Sequence, residues 1–346
     1  MAIIDQILAD MQYGDAITDN ALAIRDVLVE LGHVSRIYAV NIHPRLSDSV
    51  IPLDDYSGSD CVIHHFAIGS EVNDFVKNLS VKNKILIYHN ITPYEFFSGY
   101  NLQSESMCIE ARRQLRDCAD VYSYALAVSE FNRGELTAIG YRNTDVLPIL
   151  YNYNKAVRYK RESVTKNILF LGRIAPNKCQ QDVIKAFYYY KKMYCSEANL
   201  YIAGSYSGME KYLNELIHFS ESLGIDGVHF TGRLSYEQMY KLYSNVDLFL
   251  SMSEHEGFCV PLIECMHYNI PILAYEAGAV PETLGNSGVT FNKKDYVSVA
   301  GMMNALITDE QLRNKVIESQ TKRLEHFSHD VVSGKLKHVL KNLKLG

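Results

Sequence analysis

The chain contains no tryptophan, and its seven cysteines are scattered without a single Cys-x-x-Cys pair. That spacing argues against a disulfide framework or a structural zinc site, so we expect reduced thiols. No window approaches the roughly 18 consecutive apolar residues of a membrane span. The first residues, Met1–Gln6, lack the basic region and cleavage pattern of a signal peptide. These absences together predict a cytoplasmic protein that does not cross a membrane.

Two further absences narrow the function. The net charge is −6, without the basic surplus that a nucleic-acid-binding surface requires, so nucleic acid is not an expected partner. No predicted strand is followed by Gly-x-Gly-x-x-Gly, which disfavours a dinucleotide-dependent dehydrogenase. The chain is nevertheless long, at 346 residues with 47% hydrophobic composition. That length predicts two globular domains of roughly 150 residues each.

Strand-length apolar runs alternate with longer amphipathic stretches along the whole chain. This alternation breaks at a polar, basic stretch from 152 to 166 and then restarts at Asn167. Two successive series of βα units predict two Rossmann-like α/β domains, spanning 1–155 and 165–326. We expect the C-terminal helix, 327–346, to complete the first domain. Ligands bind beyond the carboxyl ends of such strands, so the site is expected in the cleft between the domains.

Residues 253–264 are the most informative segment. An apolar strand ending near Leu250 precedes them, and Pro261 is well placed in the first turn of a following helix. The N-terminus of a helix presents backbone N–H groups and the positive end of its dipole, which together favour an anion such as phosphate. Glu256 and Glu264 flank this position and, as hydrogen-bond acceptors, suit the hydroxyls of a sugar or ribose. The segment predicts a site for an anion and hydroxyl groups.

A second loop follows the first strand of the predicted second domain. Arg173 and Lys178 lie in it, where two positive charges could bind a diphosphate. Asn177 is predicted to cap the next helix, with Gln180 three residues later. Basic residues at a helix start are more often solvated surface charges. The Glu256 segment in the same α/β domain favours the functional interpretation.

The first domain offers weaker candidates. Gly14 would allow a close approach of a ligand to the backbone, and Asp15 is predicted to cap the helix that follows. His89 and Asn90 end one strand, and His65 lies near the end of another, where α/β sheets bind their ligands. An ordinary capped helix and structural histidines are the competing interpretations.

These motifs together resemble the retaining nucleotide-sugar transferases of glycosyltransferase family four. The signature is two glutamates separated by seven residues around a Gly-Phe loop, here Glu256 to Glu264, with a basic pair, here Arg173 and Lys178. Segments 88–93 and 129–133 are similar to those of bacterial members that build surface polysaccharides. The Gly-Gly loop common near the N-terminus of this family is replaced by Gly14 and Asp15. Cys259 stands where many members carry glycine.

The resemblance implies the GT-B fold, in which two Rossmann-like α/β domains face each other across a cleft. It implies a retaining hexosyltransferase that uses a nucleoside-diphosphate sugar and a glycan or lipid-linked acceptor. The expected process is synthesis of a bacterial capsule, O-antigen or exopolysaccharide. Two alternatives stay open: a non-hydrolysing nucleotide-sugar epimerase, and a catalytically inactive GT-B subunit that binds sugars or a partner.

The resemblance also implies roles for particular residues. Arg173 and Lys178 would stabilise the departing diphosphate, Glu256 would face the donor sugar, and Glu264 would hold the ribose. His89 would contact the transferred sugar, and His65 and Asn90 would lie on the acceptor side. The remaining expected donor-binding residues are Gly257, Phe258, Cys259, Val260, Arg233, Gly14 and Asp15.

The expected chemistry uses no cofactor other than the nucleotide-sugar co-substrate. The sequence contains no Asp-x-Asp motif, and two basic side chains can replace the charge of a metal ion, so metal independence is predicted. The basic stretches 112–116 and 187–192 most simply form solvated helix faces. The alternative is peripheral contact with anionic lipid at the inner face of the membrane.

Overall fold

The computed structural model describes residues 1–150 and 159–345, so part of the predicted linker at 152–166 lies outside the described residues. The described chain divides into two compact units. The first contains residues 1–94, 103–150 and 326–345, and the second contains residues 95–102 and 159–325. Each unit is built around one parallel β-sheet. The chain thus has the two-domain α/β architecture of the GT-B fold.

The first unit has a seven-stranded sheet in the order β3-β2-β1-β4-β5-β6-β7, and every strand pair is parallel. Its strands are β1 Ile4–Met11, β2 Ile37–Ile42, β3 Ile51–Pro52, β4 Cys61–Phe66, β5 Asn83–Tyr88, β6 Tyr124–Ala127 and β7 Thr144–Val146. The helices of this unit are α1 Ala16–Glu30, α2 Glu71–Asn78, α3 Leu102–Asp117, α4 Glu130–Ala138 and α12 His329–Asn342. The first residue of α3, Leu102, is assigned to the second unit.

Alternate residues of the central strands fill two apolar layers, one on each face of this sheet. Leu8 and Ile37 pack in one layer with Ala21 of α1. Ile7 and Val62 pack in the other layer, with Val72 and Val76 of α2. Burial on both faces explains why these strands are almost continuously apolar in sequence.

The second unit has a six-stranded parallel sheet in the order β10-β9-β8-β11-β12-β13. Its strands are β8 Asn167–Leu171, β9 Asn199–Ala203, β10 Val228–Gly232, β11 Leu248–Ser251, β12 Ile272–Tyr275 and β13 Val289–Phe291. The helices are α5 Gln180–Met193, α6 Glu210–Ser222, α7 Tyr236–Tyr243, α8 Val260–His267, α9 Val280–Leu284, α10 Tyr296–Thr308 and α11 Glu310–Leu324.

The strand order reverses once in each sheet, between β1 and β4 and between β8 and β11. At such a switch point the loops after the two adjacent strands diverge, which leaves a crevice at their carboxyl ends. In the second unit these loops are the ones that contain Arg173 and Glu256. The topology therefore places the two strongest sequence motifs side by side.

The alternation of strand-length and amphipathic stretches in the sequence corresponds to the longer strands and helices of this description. It did not predict the short strands β3, β7 and β13 or the helices α2, α4 and α9. The Ser-x-x-Gln pattern that opens α7 is typical of a capping box and forms one: the Ser235 side chain accepts from the Gln238 N–H, and the Gln238 side chain accepts from the Ser235 N–H. Among the described residues, no helix is both long enough and apolar enough to cross a membrane.

Candidate functional site

An ion pair at the switch point of the second sheet joins its two loops. Lys178 Nζ lies 2.7 Å from Glu256 Oε2, and the side chains are only 21% and 8% exposed. Burial disfavours the charged ammonium, but the Glu256 carboxylate outweighs it, so the pKa of Lys178 lies above its ordinary value. Lys178 is therefore protonated, and the ion pair with Glu256 holds its ammonium group in place. The sequence placed both residues at a ligand site but did not predict that they contact each other.

Arg173 lies in the same loop as Lys178 and is exposed. Its Nη2 donates to the carbonyl of Ser207 at 3.3 Å. Its charge is close enough to lower the pKa of Lys178, although the Glu256 carboxylate dominates. The two basic groups are therefore near each other, as a diphosphate site requires.

The predicted N-cap at Asn177 is wrong. Asn177 lies within a short 3-10 turn, Pro176–Lys178, and Cys179 is the residue that precedes α5. The buried Asn177 side chain instead donates from Nδ2 to the backbone carbonyl of His255 at 3.3 Å. The backbone carbonyl of Asn177 accepts from the Glu254 N–H at 2.9 Å. Asn177 thus ties the Lys178 loop to the Glu256 loop.

The loop from Glu256 ends at α8, which begins at Val260 and has Pro261 in its first turn, as predicted. Cys259 precedes it with φ 68° and ψ 68°, in the left-handed region. The Phe258 carbonyl accepts from Thr283 Oγ1 at 2.7 Å, which holds the loop against the chain that follows β12. Gly257 lies between Glu256 and Phe258. The first turn of α8 therefore follows directly from Glu256, in the arrangement that suits an anion.

Cys259 places a thiol beside the Lys178–Glu256 pair. The side chain is buried, and burial, followed by the Glu256 carboxylate, raises the pKa of this thiol well above its ordinary value. The thiol is therefore neutral and poorly nucleophilic. Cys259 contributes shape to the site and not charge.

Glu264 lies further along α8, and Tyr243 holds its carboxylate. Tyr243, the last residue of α7, donates its hydroxyl to Glu264 Oε2 at 2.9 Å. Its buried ring stacks on Tyr268 with centroids 4.7 Å apart. Sequence reasoning missed Tyr243, because only the fold brings α7 beside α8.

Two glycines support the site, and the sequence analysis did not identify either. Gly278 has φ +54°, and an added Cβ there would overlap the Glu256 carbonyl oxygen and lie 2.9 Å from the Glu256 nitrogen. Gly204, directly after β9, would overlap the Gly172 carbonyl in the same way. Both follow strands at the ligand-binding edge of the sheet, which is the one sequence feature that could have identified them. Neither position has room for a side chain.

Arg233 lies at the carboxyl end of the edge strand β10. Since β9 separates β10 from β8, this arginine is at the same edge of the sheet as Arg173 but two strands away. The structure thus places Arg233 at the periphery of the site.

A cluster of possible metal ligands lies near the site, formed by Cys179, Asp182 and Glu254, with ligand atoms within 4.8 Å of one another. Lys294 Nζ already contacts both carboxylates, Asp182 at 2.8 Å and Glu254 at 2.7 Å. Burial opposes ionisation of Asp182, but hydrogen bonds, first from Lys294, outweigh it and lower its pKa. The ammonium group supplies the positive charge that these carboxylates need.

In the first unit, the predicted cap of α1 is confirmed. Asp15 Oδ2 accepts from the N–H groups of Ile17 at 3.0 Å and Thr18 at 3.3 Å. Gly14 precedes it with φ +72°, a conformation that glycine adopts without strain. Their predicted contact with the donor stays a prediction.

The histidines at the ends of β4 and β5 contact each other. His65 Nδ1 lies 2.9 Å from His89 Nε2, and the rings stack with an interplanar angle of 13°. Burial lowers the pKa of His89 to about 3, so its ring is neutral. Asn90 has φ 86° and donates to Asn132 Oδ1 at 2.9 Å. His65 and His89 thus form one group, and Asn90 is bonded to α4.

The two basic stretches have most of their charge paired. Arg112 contacts Glu135 at 3.1 Å, and Arg113 contacts Asp117 at 2.6 Å. In the second stretch Lys191 contacts Asp226 at 2.6 Å. These ion pairs leave less positive charge for a membrane surface than the sequence suggested.

Comparisons with known proteins agree with this description. Over 145 residues, which are 41% of this chain and 18% of the relative, the sequence is 28% identical to the serotype-specific mannosyltransferase WbdA of Escherichia coli. Over 238 residues, 68% of this chain and 63% of the relative, it is 24% identical to the O-antigen chain mannosyltransferase RfbU of Salmonella typhimurium. The matched regions thus span less than two thirds of either relative.

A solved structure shows the same fold over the whole length. The crystal structure of Anabaena Alr3699/HepE in complex with UDP and glucose matches with a TM-score of 0.75 at 16% identity. The match covers 99% of this chain and 100% of that one. The sequence profile of glycosyl transferases group 1 matches residues 138–323, more than half of the chain. The chain belongs to the family of glycosyl transferases group 1.

Proposed function

We propose that this protein transfers a hexosyl group from a nucleoside-diphosphate sugar to a glycan or lipid-linked acceptor in bacterial polysaccharide synthesis. Family membership supports the reaction class, and the relatives named as O-antigen mannosyltransferases support the process. Their name makes mannose the first sugar to test. The bound UDP and glucose of the structural relative make UDP-glucose the second.

The observation that carries the proposal is the Lys178–Glu256 pair at the switch point of the second sheet. Lys178 is a half-buried, charged group beside the start of α8, and its ammonium donates a hydrogen bond to Glu256 Oε2 at 2.7 Å. A diphosphate placed against α8 would meet the helix dipole and the ammonium group together. Glu256 would then be available on the adjoining side for sugar hydroxyls.

The same geometry supports roles for the proposed catalytic groups. When the bond between the sugar and the diphosphate breaks, negative charge grows on the leaving phosphate oxygens. Lys178 and Arg173 would stabilise that charge from fixed positions, the kind of interaction that contributes most to such reactions. Glu264, held by Tyr243, would accept hydrogen bonds from the ribose hydroxyls. Phe258, Cys259 and Val260 would contribute their backbone at the helix start.

We propose that the transfer retains anomeric configuration and needs no metal ion. The two basic groups at the diphosphate position support metal independence, because they provide charge that a divalent ion would otherwise supply. Retention rests on the resemblance to family four. The test is product stereochemistry by NMR, with activity compared in EDTA and in magnesium; an inverted product or loss of activity in EDTA would contradict the proposal.

Ligand binding tests the donor assignment directly. Thermal shift is measured with UDP, GDP and dTDP and with their sugars, including UDP-glucose and GDP-mannose. We expect one nucleotide series to raise the melting temperature, because a ligand that binds only the folded state stabilises it. If none of these compounds stabilises the fold, the protein is not a nucleotide-sugar enzyme of this type.

The same preparation distinguishes the alternatives. An epimerase would convert the donor without any acceptor, whereas a transferase needs the acceptor for turnover beyond slow hydrolysis. A catalytically inactive subunit would bind the nucleotide and give no transfer with any acceptor offered.

Replacing the two glutamates is expected to affect different steps, nucleotide binding for Glu264 and turnover for Glu256. Glu264→Ala should weaken nucleotide binding by about 10- to 100-fold, the effect of losing hydrogen bonds to a charged acceptor. Glu256→Ala should leave binding closer to wild type and mainly lower kcat, because this residue faces the sugar. Calorimetry with the nucleotide and steady-state kinetics measure the two effects. Glu254→Ala, an exposed carboxylate in the same loop, is the control, and equal binding losses in the two variants would overturn the assignment.

Membrane contact belongs to this proposal only if the acceptor is lipid-linked. Flotation with anionic liposomes at low and high salt tests it. Salt-sensitive binding supports peripheral contact, and its absence removes that part of the proposal.

A further inference from the structure

A continuous chain of hydrogen bonds connects three side chains in the first unit. Gln6 of β1 donates from Nε2 to the carbonyl of Ala21 at 2.9 Å. Its Oε1 lies 2.9 Å from His65 Nε2, and His65 Nδ1 lies 2.9 Å from His89 Nε2. Gln6 and His65 are buried, at 0% and 4% exposure, so water cannot substitute for these partners.

The order of these bonds fixes where each proton is. Because the Ala21 carbonyl can only accept, the Gln6 amide must present its NH₂ there and its oxygen to His65. His65 must then carry its proton on Nε2, which leaves Nδ1 as an acceptor. His89 must donate to that acceptor, so the proton of a neutral His89 lies on Nε2. The Nδ1 atom of His89 is consequently a lone-pair acceptor.

That acceptor has no hydrogen-bond partner among the described residues. A buried acceptor without a partner destabilises the folded state, so such an atom at a strand end is a candidate for binding a ligand. His64 also has an unpartnered ring nitrogen, but its side chain is fully buried within the sheet and bonds to Tyr122 at 2.6 Å. His89 differs because the residue as a whole is partly exposed, although its Nδ1 atom is buried, and because it follows the carboxyl end of β5, where ligands of such sheets bind.

We propose that Gln6 and His65 are positioning residues that hold His89 as its Nε2–H tautomer and so keep Nδ1 ready to accept a hydrogen bond from a sugar hydroxyl. This inference rests on the proposed function for its ligand. It commits to the direction of the bond: the sugar hydroxyl donates and His89 accepts. His89 therefore recognises a hydroxyl group and does not deliver a proton.

The direction of the pKa shifts agrees with the geometry. Burial lowers the pKa of His89 to about 3. Burial, with smaller contributions from His89 and His64, also holds the pKa of His65 well below its ordinary value. Both rings should therefore stay neutral across the range of about pH 5 to 8, in which an ordinary histidine titrates.

The first test uses the unmodified protein. Long-range ¹H–¹⁵N NMR of histidine-labelled protein distinguishes protonated from unprotonated ring nitrogens, and signals of the 12 histidines are assigned by single substitutions. We expect Nε2–H tautomers for His65 and His89, unchanged between about pH 5 and 8. An Nδ1–H tautomer of His89, or titration of either ring in that range, would overturn the proposal.

A variant pair tests the positioning role. Gln6→Leu removes the acceptor that orients His65, so His89 should populate both tautomers and kcat should fall about tenfold, the scale of one lost hydrogen bond. His64→Gln alters a histidine that is as buried as Gln6, precedes His65 on β4 and lies outside the chain of bonds. This control should keep the His89 tautomer and kcat. A wild-type tautomer in Gln6→Leu would overturn the role of Gln6 even if the variant is less stable.

A ligand titration separates this inference from the proposed function. Binding of the sugar nucleotide should shift the His89 Nδ1 resonance, whereas the nucleoside diphosphate alone should not. If the sugar nucleotide binds without this shift, the hydroxyl contact is wrong while the donor assignment stands. If no sugar nucleotide binds, the proposed function and the hydroxyl contact both fail, and the spectrum of the free protein still decides the positioning role.

Discussion

Replacing Lys178 by alanine should lower kcat for sugar transfer by about 100- to 1000-fold, or ~3 kcal/mol of barrier, judged from the removal of single charge-stabilising donors in other enzymes. The reason is that Lys178 is a half-buried cation held in place before the reaction begins. A fixed charge needs little reorganisation when the diphosphate leaves, whereas water must reorient. Steady-state kinetics with saturating donor and acceptor measure the effect.

The same substitution has a second consequence that must be separated from the first. It leaves Glu256, which is 7% exposed, without its cationic partner. An uncompensated buried carboxylate destabilises a protein, here by about 1–3 kcal/mol since Lys178 itself is partly exposed. Glu256→Gln in the Lys178→Ala background should restore stability but not transfer. Chemical denaturation of the single and double variants measures this coupling.

Lys185→Ala is the matched control for charge. Lys185 lies on α5 and contacts Asp182 at 3.0 Å, so it belongs to the neighbouring ion-pair cluster and not to the Glu256 pair. Its removal should change kcat by less than about threefold, in line with the small value of exposed ion pairs. If Lys178→Ala retains more than a tenth of wild-type kcat while folded, Lys178 is a structural partner of Glu256 and the proposed electrostatic role is wrong.

Local features of the fold were predictable because they depend on neighbouring residues. The alternation of apolar and amphipathic segments follows from burying parallel strands on both faces. The cap at Asp15 and the capping box at Ser235 each satisfy backbone N–H groups within three residues. Asn177 shows the limit of this reasoning: its spacing to Gln180 fits a cap, but partners 77 and 78 positions away in the Glu256 loop hold it instead.

The residues of the candidate site were likewise predictable only where they belong to a local sequence motif. The sequence identified Arg173, Lys178, Glu256 and Glu264 because the two motifs carry charge at strand ends. It could not identify Tyr243, whose contact with Glu264 spans 21 positions. It could not show that Gln6 orients His65 either, since those side chains are 59 positions apart. Residues that support a site through packing have no local pattern, and only the assembled sheet brings them to it.

Gly278→Ala should be strongly damaging, although Gly278 contributes no functional side chain. Gly278 has φ +54°, and the new Cβ would overlap the Glu256 carbonyl oxygen. The Ala279 N–H donates to that same carbonyl at 2.9 Å, so the backbone there cannot move away freely. Backbone strain and overlap together should destabilise the fold by about 2–4 kcal/mol. The released strain would shift Glu256, and a displacement of about 1 Å in a catalytic group can lower turnover about 100-fold.

Gly224→Ala isolates the contact from the conformational strain. Gly224 also lies in the second unit, has φ +59°, and an added Cβ there would meet no atom within 4 Å. Its replacement therefore carries only the cost of a left-handed alanine, about 1 kcal/mol, with no effect on transfer. Denaturant unfolding and steady-state kinetics of both variants give the comparison. Gly278→Ala should exceed Gly224→Ala in both measurements, because only Gly278 packs against the backbone that carries Glu256. Equal losses of stability and kcat in the two variants would mean that the loop after β12 moves aside without displacing Glu256. Gly278 would then have no part in shaping the site.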